Sequence, residues 1–203
     1  MKILLTGFEP FDNSLINPSE QIVRALANVP ISGVQIATAV LPVDLKLGPS
    51  VLRKAVEASE PEAVVCLGQA SRRAVISIER VAVNLLDFRI PDNAGKQVED
   101  QPIEPNGPAA YFTTLPVRKI YSVLKENGVP SELSLSAGTY LCNQVMFTLL
   151  HYLKEQDLKI PAGFIHLPAL PEQAAQMKGS VPSMSLEKMI QGIRLAIQVI
   201  AQE

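Results

Sequence analysis

Cys142 is the residue with the greatest chemical potential in this chain. It follows Ser136-Ala137-Gly138-Thr139-Tyr140-Leu141 and precedes Asn143-Gln144-Val145. Residues 133–136 read as a short β-prone run, Gly138 as the turn that stops it, and Thr139 as a helix N-cap. Val145, Met146, Leu149, Leu150 and Leu153 then recur at helical spacing. This places Cys142 in the first turn of a helix, where unpaired N–H groups and the positive dipole end stabilise an anion. A thiol there is expected to lose its proton more easily, and the thiolate is the nucleophile. The competing reading of a free Cys is a small buried hydrophobe. Cys66, set among Val64, Val65 and Leu67, is assigned that role.

A thiol nucleophile needs a base that takes its proton and later protonates the leaving group. The chain has 2 histidines. His151 lies further along the Cys142 helix; at ~1.5 Å rise per residue it is roughly 13 Å away, too far to pair with the thiol. His166 ends a short apolar run just before Pro168, and by elimination it is the better base. The acid that would orient the imidazole is not selected by spacing: Glu79, Asp87, Asp92 and Glu104 all stay open. Glu79 stands out because it sits in an apolar strand, where an unpaired carboxylate is costly. An ion pair with Arg73 or Arg80 accounts for it equally well. Phe8 and Phe11, in a Gly/Pro loop at a strand end, are either core or the walls of a pocket. Gly68-Gln69-Ala70-Ser71-Arg72-Arg73 lacks the spacing of a phosphate loop, and no nucleophile elbow, dinucleotide fingerprint or His-rich metal pattern is present.

The elements that must position these residues alternate along the chain. Residues 2–6, 34–41, 63–67, 75–84, 133–136 and 163–167 read as strands or extended segments. Helices are expected from Asn17-Pro18, from Gly48-Pro49, over 116–126, around Cys142, and from Ser185 to the end. Residues 87–107 form a polar loop rich in Pro, Asn and Gly, and loops of that length are often functional. The alternation predicts an α/β fold, a mostly parallel twisted sheet with helices on both faces. Active residues in such sheets lie at the carboxyl ends of strands. Gly7-Phe8, Gly68-Gln69, Gly138 to Cys142 and His166 all fall there, which points to one shared site.

Composition narrows the class. The chain has 203 residues, enough for one domain with a full core, and is 47% hydrophobic with net charge -2. No Lys/Arg run marks a nucleic-acid or membrane surface. Two cysteines are too few for a disulfide framework or a zinc cluster. The apolar start is too short for a signal core or a membrane span, so a cytoplasmic location is expected.

Four blocks resemble the pyrrolidone-carboxylate peptidases, also called type I pyroglutamyl peptidases, which are cysteine peptidases. The first is Leu4-Leu5-Thr6-Gly7-Phe8-Glu9-Pro10-Phe11 with Asn17-Pro18-Ser19, and the second Gly68-Gln69-Ala70 with Glu79-Arg80-Val81-Ala82-Val83-Asn84. The third is Arg89-Ile90-Pro91-Asp92-Asn93 with Gly107-Pro108-Ala109-Ala110-Tyr111. The fourth is Ser136 to Asn143 with Gly163-Phe164-Ile165-His166-Leu167-Pro168. The resemblance covers almost the whole chain. It implies a single domain over 1–203, a three-layer α/β/α sandwich, and a triad of Glu79, Cys142 and His166. It further implies removal of an N-terminal pyroglutamyl residue from small blocked peptides, no cofactor or metal, and a homotetramer or homodimer. A lactam site should be apolar with a few hydrogen bonds. Phe8, Phe11 and Tyr140 are the expected walls, Gln69 and Asn17 the polar contacts, and Arg89 a neighbour of the oxyanion. Asp12-Asn13 and Ser71-Arg72 stand where the family usually has Gly-Gly. A non-catalytic binding module and a nucleoside phosphorylase-like enzyme are the alternatives on such a scaffold.

Overall fold

The computed structural model describes residues 1–202. Its spine is a six-stranded sheet in the order β2-β1-β3-β8-β4-β7. β1 (Lys2–Phe8), β2 (Gln35–Leu41), β3 (Ala63–Gln69) and β8 (Ala162–Leu167) run parallel. β4 (Ile76–Glu79) is parallel to β7 (Ser131–Ser134) but antiparallel to β8. β3 and β8 lie at the centre and are buried on both faces, so their sequences run apolar without alternation.

The two-residue period of a strand divides the core in two. Ile3, Leu5, Val65, Leu67, Ile78 and Ile165 point to one face. There they meet α1 (Pro18–Leu26), α3 (Val117–Glu126) and α6 (Leu186–Ile200) through Ile22, Leu26, Ile120, Leu124, Ile193 and Ile197. Leu4, Val64, Cys66 and Phe164 point to the other face, against α2 (Leu47–Ser59) and α4 (Leu141–Glu155). The α/β/α layering expected from the alternation is therefore present.

The extended segment 75–84 is two strands rather than one. β4 stays in the main sheet, while β5 (Val81–Val83) pairs antiparallel with β6 (Ala110–Phe112) in a separate ribbon. Arg80 makes the change of sheet, its N–H donating to Ser134 O at 2.9 Å and its C=O accepting from Thr113 N at 3.0 Å. β6 and the one-turn helix α5 (Pro171–Ala174) are too short to leave a periodic signal. The strand expected at 133–136 lies at Ser131–Ser134, where pairing with β4 sets its register. Asn17 caps α1 as expected, its Oδ1 accepting from Ser19 N at 3.0 Å. Among the described residues no helix is long and apolar enough to cross a membrane.

Candidate active site

The carboxyl ends of β1, β3 and β8 converge at the N-terminus of α4. His166 and Gly68 are register partners on β8 and β3, so their side-chain directions share a face. That face is the one α4 covers. A Cβ on Gly68 would lie 2.8 Å from Cys142 Sγ and 2.7 Å from Phe164 Cζ. The absent side chain is thus the seat of the thiol, next to His166. Phe164, two residues before His166, packs at a tilt against its imidazole, with centroids 4.8 Å apart and ring planes 53° apart.

The antiparallel strand brings the carboxylate. Ser77 pairs with His166, and Glu79 lies two residues on, on the same face. His166 Nδ1 and Glu79 Oε1 are 2.7 Å apart, with Glu79 fully buried. That contact leaves the other ring nitrogen, Nε2, as the one able to face the thiol. Arg73 Nη1 also donates to Oε1, at 2.6 Å, so Glu79 contacts the imidazole and an arginine at once. Among the described residues, none of the other three acids pairs with His166. Asp92 organises its own loop, accepting from Ala94 N, Lys96 N and Leu45 N at 3.0, 2.8 and 2.9 Å. Glu104 pairs with Arg53 at 3.5 Å, and Asp87 is exposed. His151 is engaged by Tyr111 Oη at 2.9 Å and by Glu155 at 3.4 Å, away from the thiol.

Cys142 does stand in the first turn of its helix, but Tyr140, not Thr139, is the N-cap. Thr139 is diverted by the long loop, its hydroxyl donating to Asp87 O at 2.8 Å. The thiol's surroundings work against the ionisation that the helix start favours. Burial pushes the Cys142 thiol up to about 12, and the Glu79 charge adds to this. Arg73 and the backbone N–H pull the other way without prevailing. Desolvation of a thiolate thus opposes the helix end at this half-buried side chain. Cys66 is buried in the core as expected, its thiol also pushed up to about 12 by burial.

Beside the thiol lies a small cleft lined by Phe8, Phe11, Asn17, Val43, Gln69, Tyr140, Leu141 and Cys142. It gathers five of the six residues expected around the ligand. Arg89 is the exception: it is exposed and does not line the cleft. Asn17 is fully buried and acts through backbone, donating to Glu9 O at 2.9 Å while capping α1. Tyr140 packs edge-on against Phe88 with centroids 4.6 Å apart, and its hydroxyl donates to Pro91 O at 3.1 Å. Asp12 and Asn13 keep the loop next to Phe11 in left-handed backbone, with φ 52° and 60°. Ser14 N closes that turn on Phe11 O at 3.0 Å, a conformation Asp and Asn adopt at low cost in place of Gly-Gly.

Two positioning residues escaped the sequence reading. Asn143 is fully buried and grips β5: its Oδ1 accepts from Val83 N at 2.9 Å, and its Nδ2 donates to Val83 O and Leu85 O at 2.9 and 3.0 Å. Gln173 of α5 donates to Ser14 Oγ, Ile16 O and Gln69 Oε1 at 3.0, 3.0 and 3.1 Å. It thereby joins the loop after β1 to the end of β3. Its partners lie more than 100 residues away in sequence, so no local pattern reveals them.

A doubly covered α/β sheet with Cys, His and Glu meeting at its strand ends has the layout of a thiol hydrolase. The family model described as pyroglutamyl peptidase matches residues 1–203, and the chain belongs to that family. It is 48% identical over 203 residues to the pyrrolidone-carboxylate peptidase of Gloeobacter violaceus, covering 100% of this chain and 98% of the relative. With the Pyrococcus furiosus pyrrolidone-carboxylate peptidase it shares 46% identity over 206 residues, covering 100% and 99%. A solved single-site mutant of pyrrolidone carboxyl peptidase from P. furiosus superposes with a TM-score of 0.97 at 45% identity, covering 100% of this chain and 99% of that one. Pyroglutamyl peptidase I of Bacillus amyloliquefaciens superposes with a TM-score of 0.95 at 37% identity, covering 100% and 97%.

Proposed function

We propose that this chain hydrolyses the N-terminal pyroglutamyl residue from peptides, with Cys142 as nucleophile, His166 as general base and acid, and Glu79 as the residue that orients His166. The observation that carries the reading is the seat of Cys142 Sγ on Gly68, beside His166 and at the edge of an apolar cleft. His166 takes the thiol proton as sulfur attacks the pyroglutamyl carbonyl. The N–H groups of the first turn of α4 have no helical acceptor, and that of Cys142 faces the oxyanion. The imidazolium then gives its proton to the departing amine, leaving a thioester. Water, deprotonated by His166, attacks the thioester and releases pyroglutamate and the thiol. Glu79 holds the ring with Nδ1 toward itself and Nε2 toward sulfur throughout.

The cleft suits an uncharged lactam. Phe8, Phe11, Val43 and Tyr140 pack against the ring, and Gln69 offers a hydrogen bond. A prolyl terminus would carry an ammonium into these apolar walls and lacks the lactam carbonyl. A site that hydrogen-bonds a polar group rejects an analogue lacking it by up to ~10⁴-fold. The test is kcat/KM on pyroglutamyl, prolyl, glutaminyl and glutamyl anilides. The pyroglutamyl substrate should lead by at least about a hundredfold. Comparable prolyl and pyroglutamyl values would overturn the pocket assignment.

A further inference from the structure

Glu79 offers one oxygen to two partners. Its Oε1 meets His166 Nδ1 at 2.7 Å and Arg73 Nη1 at 2.6 Å, while Oε2 is buried without a partner among the described residues. The same guanidinium donates through Nη2 to Ser136 O at 2.7 Å, in the loop that delivers Cys142. Arg73 therefore touches both halves of the site, the carboxylate behind His166 and the backbone ahead of the thiol. Its own backbone is held by a turn at the end of β3, Arg73 N donating to Ala70 O at 2.9 Å. The side chain is only partly exposed, so its charge acts through a poorly solvated path.

We propose that Arg73 is a positioning residue of the reaction: by sharing Glu79 Oε1 with His166 while holding Ser136 O, it sets how readily the thiol proton passes to the imidazole. This rests on the roles given above to Cys142, His166 and Glu79. A buried carboxylate opposes a nearby thiolate, which resists the transfer, and stabilises a nearby imidazolium, which assists it. A cation on the same oxygen weakens both effects, lowering the proton affinity of the thiolate and of the imidazole alike. Arg73 accordingly draws the Cys142 thiol down while Glu79 drives it up. The groups around this path are Glu79 of β4, Glu132 of β7 at 4.0 Å from Nη1, His166 of β8, Cys66 of β3, and Tyr140 and Cys142 at the start of α4. Arg73 supplies the permanent positive charge in that set.

The experiment compares wild type, Arg73→Gln and Arg73→Lys by two pH profiles. One is kcat/KM on the pyroglutamyl anilide. The other is the rate of iodoacetamide alkylation at Cys142, read by peptide mass. Removing the cation makes each proton held in the site harder to remove. Both Arg73→Gln profiles should move up by about one pH unit, giving roughly a tenfold loss at neutral pH that narrows in alkali. Arg73→Lys should restore the position of both profiles yet keep a lower kcat, because an ammonium lacks the planar fork that reaches Glu79 and Ser136 together. A loss in Arg73→Gln that is equal at every pH, or a lysine variant whose profiles match the glutamine variant's, would overturn the proposal. The alkylation profile needs no substrate. A wild type that leaves the pyroglutamyl anilide uncut would refute the peptidase reading, while the alkylation shift would still decide the part played by Arg73.

Discussion

Gly68→Ala adds one methyl group at the point where the thiol rests. The new Cβ would stand 2.7 Å from Phe164 Cζ, 2.8 Å from Cys142 Sγ and 3.0 Å from Phe164 Cε1. Favourable heavy-atom contacts lie at ~3.5–4.0 Å, so something must retreat by about 0.7–1.3 Å. Phe164 is fully buried on a central strand and packed against His166, which leaves the Cys142 side chain as the easier group to displace. Overpacking of this kind costs about 1–3 kcal/mol. In a chain of this size that lowers the melting temperature by about 2–12 °C. A reacting atom misplaced by ~1 Å costs about a hundredfold in rate. The three atoms nearest the new methyl group belong to Phe164 and Cys142, not to the cleft walls at Phe8, Phe11 and Tyr140. Gly68→Ala should therefore lose about a hundredfold in kcat with KM changed only a few-fold. The assay is steady-state hydrolysis of the pyroglutamyl anilide beside a thermal melt. A kcat within about twofold of wild type, with unchanged stability, would refute the seating of the thiol on Gly68.

His166→Ala should abolish nearly all turnover. His151→Ala should keep it and lose about 1 kcal/mol of stability with the Tyr111 bond; equal kcat losses in the two variants would mean the wrong base has been assigned. Gln173→Leu removes the donor shared by Ser14, Ile16 and Gln69 and should raise KM for the pyroglutamyl anilide while costing about 1–3 kcal/mol in a melt. An unchanged KM there would separate α5 from the cleft.

What the sequence by itself determined is local. Asn17-Pro18 marks the start of α1, the spacing of Val145, Met146 and Leu149 makes a helix with Cys142 in its first turn, and the apolar runs of β3 and β8 mark central strands. Each follows from residues within a few positions of one another, where periodicity and capping act. The meeting of Cys142 and His166 was also foreseeable, because parallel strands collect their carboxyl ends on one edge. The choice of Glu79 was not settled that way: its apolar strand made it stand out, but residue pattern left Asp87, Asp92 and Glu104 open beside it. Only the antiparallel placement of β4 beside β8 puts its carboxylate on His166. The same holds for Arg73, for Gln173, and for the exclusion of Arg89 from the cleft. The thiol shows the division most directly. Its helix position, legible in sequence, argues for easy ionisation, while the burial that raises its proton affinity comes with the packed sheet, where Gly68 of β3, next to Phe164 of β8, seats the sulfur. Desolvation belongs to the assembled core and has no counterpart in the spacing of residues along the chain.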